Sequence, residues 1–159
     1  MTSIPVRRLN HAVLYVRDVE RSVAFYRDVL GLEPVHDDWR TMGAAFVRAK
    51  GSANDHDLGL FGIGQAAPGP VRGAVGLYHL AWEVDRVEDL VEAREVLRQA
   101  GALVGQSDHG ATKSLYGMDP DGNEFEVMWA VPHDRLGEVQ GSPPVAPLDL
   151  EAVVAQFAG

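Results

Sequence analysis

The chain has 159 residues, enough for one domain with a substantial core, because a chain of about 150 residues buries roughly 70% of its unfolded surface. Hydrophobic residues at 46% and charged residues at 23% describe an ordinary globular protein and exclude a disordered one. Fourteen basic against 23 acidic residues give a net charge of −9 with no basic stripe, so no nucleic-acid surface is expected, and the absence of cysteine excludes disulfide scaffolds, thiolate zinc sites, iron–sulfur clusters and cysteine nucleophiles.

No apolar run approaches the ~20 residues of a membrane span, and residues 1–8 lack the apolar centre of a signal peptide. The expectation is a soluble, cytoplasmic protein with no membrane partner. Residues 8–16 (RLNHAVLYV) read as a strand, with Ala12, Leu14 and Val16 on one face and His11, Val13 and Tyr15 on the other. Asp18 is placed to cap a helix over 18–30, in which Val19, Val23, Tyr26 and Leu30 recur at helical spacing, and Gly31 stops it. Short strands are expected near 32–37, 42–49 and 57–62, followed by a linker over 62–76 rich in glycine and proline.

The pattern then restarts. Residues 76–84 (GLYHLAWEV) form a strand with His79 near its middle, and Val87, Leu90, Val91 and Leu97 mark a second helix stopped by Gly101. Strands near 102–108 and 112–118, a turn at 119–123 (DPDGN) and a strand at 124–130 (EFEVMWA) follow. Beyond Pro132 the chain is proline-rich and ends in a short helix over 148–157. The restart is an internal repeat that aligns His11 with His79, Val16 with Val84, Val19 with Val87 and Val23 with Val91. The expected fold is therefore α+β. Two βαβββ modules, about 7–63 and 76–131, form an eight-stranded cup with helices outside, within one domain over 1–131, and 132–159 is an extension.

Of the six histidines, His36 and His133 sit among acidic or turn residues and read as surface side chains. His11 and His79 occupy equivalent places, each opposite the apolar face of its strand, and Glu126 lies opposite Phe125, Val127 and Trp129. A carboxylate in such a strand is costly unless paired or bound to a metal. Two histidines and one carboxylate match the facial triad of non-haem Fe(II) sites and also suit Mn, Zn or Ni. The residues alone leave a second reading open, in which the histidines satisfy backbone carbonyls and Glu126 meets an arginine or water.

The segments LNHAVLYVRDVERSVAFYRDVLGLE, YHLAWEV and YGMDPDGNEFEV resemble the vicinal-oxygen-chelate superfamily, which groups glyoxalase I, bleomycin- and fosfomycin-resistance proteins and the type I extradiol dioxygenases. The resemblance covers residues 7–131 and implies paired βαβββ modules with a metal in the cup. Within it, the chain looks most like the extradiol dioxygenases, whose signature falls on His109, Leu115-Tyr116, Asp119-Pro120-Asp121-Gly122 and Glu126. The resemblance implies His11, His79 and Glu126 as metal ligands. It implies His56, in His56-Asp57-Leu58-Gly59, and His109 and Tyr116 as catalytic groups around them. Ser107 and Val13 depart from the pattern, the latter where some members carry a substrate-side asparagine.

The activity so implied is Fe(II)-dependent cleavage of a catechol-type ring with O2, with Mn(II) as the alternative ion. An aromatic diol and O2 are the expected partners, and a homodimer is expected, with the apolar residues of the C-terminal segment free to wrap a neighbour. Two other functions use the same fold. A glyoxalase- or epimerase-type enzyme needs a fourth protein ligand, a carboxylate late in the first module, where residues 57–62 read DLGLFG. A metal-free binding protein would need an aromatic groove, for which Trp39, Trp82 and Trp129 are available, although Trp82 and Trp129 alternate toward the core.

Overall fold

A computed structural model describes residues 3–159, with no helix among them long and apolar enough to cross a membrane. The chain divides into two compact units, one running to Pro68 and the other Gly69–Gly159, with the boundary inside the expected linker.

The first unit contains β1 (Ala12–Val16), α1 (Val19–Leu30), β2 (Glu33–Pro34), a helical turn α2 (Trp39–Met42), β3 (Ala44–Arg48) and β4 (Leu58–Gly62). The second contains β5 (His79–Glu83), α3 (Val87–Gln99), β6 (Leu103–Asp108), β7 (Thr112–Met118) and β8 (Glu124–Ala130). A 3-10 helix (His133–Val139) and α4 (Leu150–Phe157) complete it. Each unit has one four-stranded sheet, in the order β1-β4-β3-β2 or β5-β8-β7-β6. In each, the first strand runs parallel to the last and the remaining pairs are antiparallel. The repeat is thus a repeat of topology, and the α+β reading with two βαβββ modules holds.

The helices form where the sequence places them. Asp18 accepts a hydrogen bond from the Arg21 amide at 3.0 Å at the start of α1. At its end Gly31 adopts φ 67°, while the Gly31 and Leu32 amides close onto the Arg27 and Tyr26 carbonyls. α1 buries Val23 and Tyr26 across β3 and β4, and α3 buries Val87, Leu90 and Leu97 across β6, β7 and β8.

Three details differ from the sequence reading. β1 and β5 begin at Ala12 and His79, so His11 precedes its strand and His79 opens its strand instead of sitting mid-strand. The strand expected from 42 is preceded by α2, because buried Trp39 anchors a helical turn that Gly43, at φ 67°, ends. The C-terminal segment packs on its own unit: α4 lies against α3, the Phe157 ring meets Trp129 at a tilt with ring centres 5.3 Å apart, and Arg94 pairs with Glu151 at 2.7 Å. Leu148, Leu150, Val153 and Phe157 are buried, so these side chains supply no free surface for a neighbour.

The β7–β8 hairpin sets the register of the second sheet. Asp119 accepts the amides of Asp121 and Asn123 at 2.9 and 2.8 Å, and Gly122 takes φ 89°, so the DPDGN turn is locked by its own side chain. Gly117 faces Phe125 across the hairpin, and the ring occupies the space of the missing side chain: a Cβ at Gly117 would lie 2.4 Å from Phe125 Cζ. Gly117→Ala is therefore expected to destabilise the protein by about 1–3 kcal/mol through overpacking. Phe125→Leu in the same chain should return part of the loss. Urea denaturation of the two single variants and the double variant measures both effects, and additive losses would show that the ring is not the cause.

Candidate metal centre

The register of β8 gathers three of the six candidate side chains. Ala81 and Tyr116 are the partners of Glu126 on its two neighbouring strands, and His79 is the partner of Glu124. Paired residues share a face, so His79, Glu126 and Tyr116 lie on the face opposite Phe125, Val127 and Trp129, which are buried. The small side chain of Ala81 leaves His79 adjacent to Glu126, with His79 Nε2 3.1 Å from Glu126 Oε2. The rings of His79 and Tyr116 lie 5.8 Å apart. His79 Nδ1 is buried without a hydrogen-bond partner among the described residues, so the polar contact of this ring is made at Nε2.

His109 occupies the turn between β6 and β7. Its Nε2 meets the Tyr116 hydroxyl at 2.8 Å and its Nδ1 meets the Pro144 carbonyl at 2.8 Å. Burial, followed by the negative charge of Glu126, holds the Tyr116 phenol above its ordinary pKa, so it is a neutral hydroxyl at physiological pH.

The first unit holds the other two histidines as a pair. The rings of His11 and His56 lie 4.5 Å apart, and Phe46 meets His56 edge-on at 4.8 Å. His11 Nδ1 is 2.8 Å from Asn10 Oδ1, and His56 Nδ1 is 3.0 Å from Asp55 Oδ2. Both acceptors are oxygens, so each ring carries its proton at Nδ1 and leaves Nε2 outside the contact. The hydrogen bond from His56 is the main reason that the Asp55 carboxyl titrates below its usual range.

A network that the sequence reading passed over holds this arrangement. Asn54 Nδ2 donates to the Asn10 carbonyl at 2.9 Å and to Asp57 Oδ1 at 2.7 Å. Asp57 also accepts from Ser52 Oγ and the Ala49 amide at 2.7 and 2.9 Å. The signal was an asparagine directly before His11 and another two residues before His56. Neither reads as functional until the β1–β4 pairing brings positions 10 and 54 together.

Among the described residues, no three histidine, aspartate or glutamate side chains are gathered closely enough to hold a metal ion. The second unit brings together an imidazole and a carboxylate, and the first offers an imidazole whose Nε2 is left available. The imidazole and carboxylate of the second unit are donors of the kind taken by a divalent ion with nitrogen and oxygen preferences. Two donors at about 2.1 Å on adjacent positions of one ion lie about 3 Å apart, close to the separation of His79 Nε2 and Glu126 Oε2. The repeat also identifies what the first unit lacks. Ala81, paired with Glu126, corresponds to Val13, and Val13 is paired with Gly59. The counterpart of the carboxylate is a residue without a side chain.

Residues 8–127 match the model of the Glyoxalase/Bleomycin resistance protein/Dioxygenase superfamily. The chain is 34% identical over 128 residues to a catechol-2,3-dioxygenase of Bacillus subtilis, covering 80% of this chain and 43% of that protein. It is 32% identical over 146 residues to biphenyl-2,3-diol 1,2-dioxygenase 3 of Rhodococcus globerulus, covering 89% and 73%. An ethylmalonyl-CoA/methylmalonyl-CoA epimerase of Cereibacter sphaeroides is 32% identical over 108 residues, covering 62% and 75%. The chain thus spans less than half the length of the Bacillus relative. A glyoxalase/dioxygenase structure from Nostoc punctiforme shares the fold with a TM-score of 0.69 at 23% identity, covering 83% of this chain and 99% of that one.

The Asp57 network has a pH signature. Burial raises the Asp57 pKa, but the hydrogen bonds from Ser52, Ala49 and Asn54 outweigh it, and the carboxyl titrates below its ordinary value. Its stabilisation is complete above the unfolded-state pKa near about 4 and is lost as pH falls through the lower folded value. Asp57→Asn is expected to cost about 1–2 kcal/mol at neutral pH, at the modest end because the group is only partly withdrawn from water. The difference from the parent should close as pH drops below about 4 in a pH series of urea denaturations. A difference that does not change with pH would remove the charge from the explanation.

Proposed function

Because the chain belongs to the Glyoxalase/Bleomycin resistance protein/Dioxygenase superfamily, we propose that it is an extradiol dioxygenase that opens the ring of a catechol-type diol with O2. His11, His79 and Glu126 hold Fe(II), or Mn(II) in its place. The observation that carries this reading is Gly59. A glyoxalase- or epimerase-type site requires a further carboxylate late in the first module, and the position equivalent to Glu126 there has no side chain. Three protein ligands, one of them anionic, leave a divalent ion with a single net positive charge and positions open to the two oxygens of a diol and to O2. The metal, when bound, supplies a common anchor for the two reactants and a path for electrons between them. The metal-free binding reading finds less support, because Trp39 and Trp129 are buried and the Trp82 indole nitrogen is buried too.

The chain's own residues handle the protons. In the substrate-free protein the Tyr116 hydroxyl donates its single proton to His109 Nε2; once a diol enters, that O–H turns to the diol oxygen and leaves the Nε2 lone pair to take the diol's proton. Tyr116, held neutral, orients the same oxygen by donation. His56, its Nδ1–H fixed on Asp55, keeps Nε2 free to hold or deliver a proton on the side of His11. In this proposal the two modules, 7–63 and 76–131, act as one catalytic domain extended by 132–159, and the assembly is a homodimer, which sedimentation at micromolar concentration tests.

The deciding experiment is anaerobic Fe(II) loading followed by a panel of mono- and bicyclic catechols with oxygen uptake recorded. One O2 consumed per ring opened is expected. No uptake across the panel, together with isomerisation of a methylglyoxal–thiol adduct by the Zn(II) or Ni(II) form, would overturn the proposal.

Two sets of variants separate the roles. His11→Ala, His79→Ala and Glu126→Ala should lose metal while keeping the fold by circular dichroism. His56→Phe and His109→Gln should retain metal and slow turnover by ~10²–10⁴-fold, the usual contribution of a general acid or base. Metal retained at parent stoichiometry in all three ligand variants would refute the ligand assignment.

A further inference from the structure

The C-terminal extension reaches the candidate site through one backbone atom. His109 makes a hydrogen bond at each ring nitrogen, and the two partners differ in kind. The Pro144 carbonyl can only accept, so Nδ1 must carry the proton, and in the neutral ring Nε2 is then the lone pair. The Tyr116 hydroxyl, able to donate or accept, is thereby made the donor. In the opposite tautomer the Nδ1 lone pair would face the carbonyl lone pairs, and both Nε2–H and the phenol would compete as donors. Water in place of the carbonyl would impose no such choice, since water donates as readily as it accepts.

Both sides of this contact are fixed in place. On the tail side, Ala146 and Asp108 exchange two backbone hydrogen bonds of 2.9 Å, and Gln106 Nε2 donates to the Leu148 carbonyl at 3.1 Å. Buried Leu148 and Leu150 anchor the segment from beyond, and Pro143 and Pro144 restrict the backbone. On the hairpin side, the buried Lys113 ammonium binds Asp108 Oδ1 at 2.5 Å and the Gly110 carbonyl at 2.9 Å, and Asp108 Oδ1 also takes the Gly110 amide at 2.7 Å. The hairpin turn that presents His109 and the strap that carries Pro144 therefore share Asp108 as a common support.

We infer that the strap carrying Pro144 is a positioning element that sets the tautomer of His109, leaving Nε2 as the proton acceptor and Tyr116 as the donor. The inference rests on the proposed role of His109 for its catalytic meaning, but the tautomer itself can be read without metal or diol. In full-length protein labelled with 15N at histidine, and above the pH at which the ring titrates, His109 should show a protonated Nδ1 and a lone-pair Nε2. The resonances are assigned by their loss in His109→Gln. Tyr116→Phe should keep this tautomer, because Pro144 sets it. Ala146→Pro removes the amide bonded to Asp108 and leaves the α4 core contacts untouched, and it should yield a mixture of tautomers. Gln106→Leu, which removes only the hold on Leu148, should do so to a lesser degree and decides the matter if Ala146→Pro does not fold. In the Fe(II)-loaded enzyme the same variants should lower kcat more than they change KM.

Protonation at Nε2 in the parent, a reversed tautomer in Tyr116→Phe, or an unchanged tautomer in the folded strap variants would overturn the inference. The expected tautomers in a protein that consumes no oxygen with any catechol would uphold the strap and remove only the dioxygenase reading.

Discussion

The register of β8 is the constraint from which the second half of the candidate site follows. Side chains on a strand alternate between faces, so a slip by one residue would carry Glu126 into the core and Phe125 and Val127 out of it. Two features prevent the slip. The Asp119 side chain closes the turn that enters β8, and the Phe125 ring fills the space above Gly117 on β7. With the register held, Glu126 stands between Ala81 and Tyr116, and His79 is its diagonal neighbour. Apolar packing on one face thereby positions an imidazole, a carboxylate and a phenol on the other.

A second regularity concerns protons. His11, His56 and His109 each place Nδ1 against an oxygen: an asparagine side chain, an aspartate and a backbone carbonyl. Each contact directs the proton to Nδ1 and leaves Nε2 for other work, whether as a donor to an ion or as an acceptor of a proton. The partner of His11 is itself held by Asn54, which Asp57 anchors in turn, and the strap carrying the partner of His109 is held by Gln106 of β6. The histidines are thus served by different local devices with one outcome.

The two units share topology and differ in chemistry. Where the second presents Glu126 and Tyr116 side by side on β8 and β7, the equivalent pair in the first is Gly59 and Phe46. One module carries the acidic and phenolic groups, and the other carries paired histidines against an aromatic ring. Under the proposed ligand assignment, this asymmetry separates a three-ligand site from the four-ligand one that a symmetrical use of both modules would create, and fold alone would not separate them.

Much of this was legible in the sequence, because its causes are local. Periodicity placed both long helices, since Asp18 and Gly31 cap α1 through contacts within a few residues, and the DPDGN turn is stabilised by its own Asp119. Strand alternation put Glu126 opposite Phe125, Val127 and Trp129, and the repeat equated His11 with His79. What the tertiary structure decided depends on contacts between distant positions. The Asn54–Asn10 link spans 44 residues and the Pro144–His109 contact spans 35, so no window of sequence holds both partners. α2 forms because Trp39 finds a buried place, not through a pattern in its four residues. The apolar C-terminal segment reads equally well as a surface for a neighbour or as a cover for its own sheet. Only the pairing of Ala146 with Asp108 and of Phe157 with Trp129 made the choice, because hydrophobic burial is non-directional and a sequence records that a face must be covered without recording what covers it.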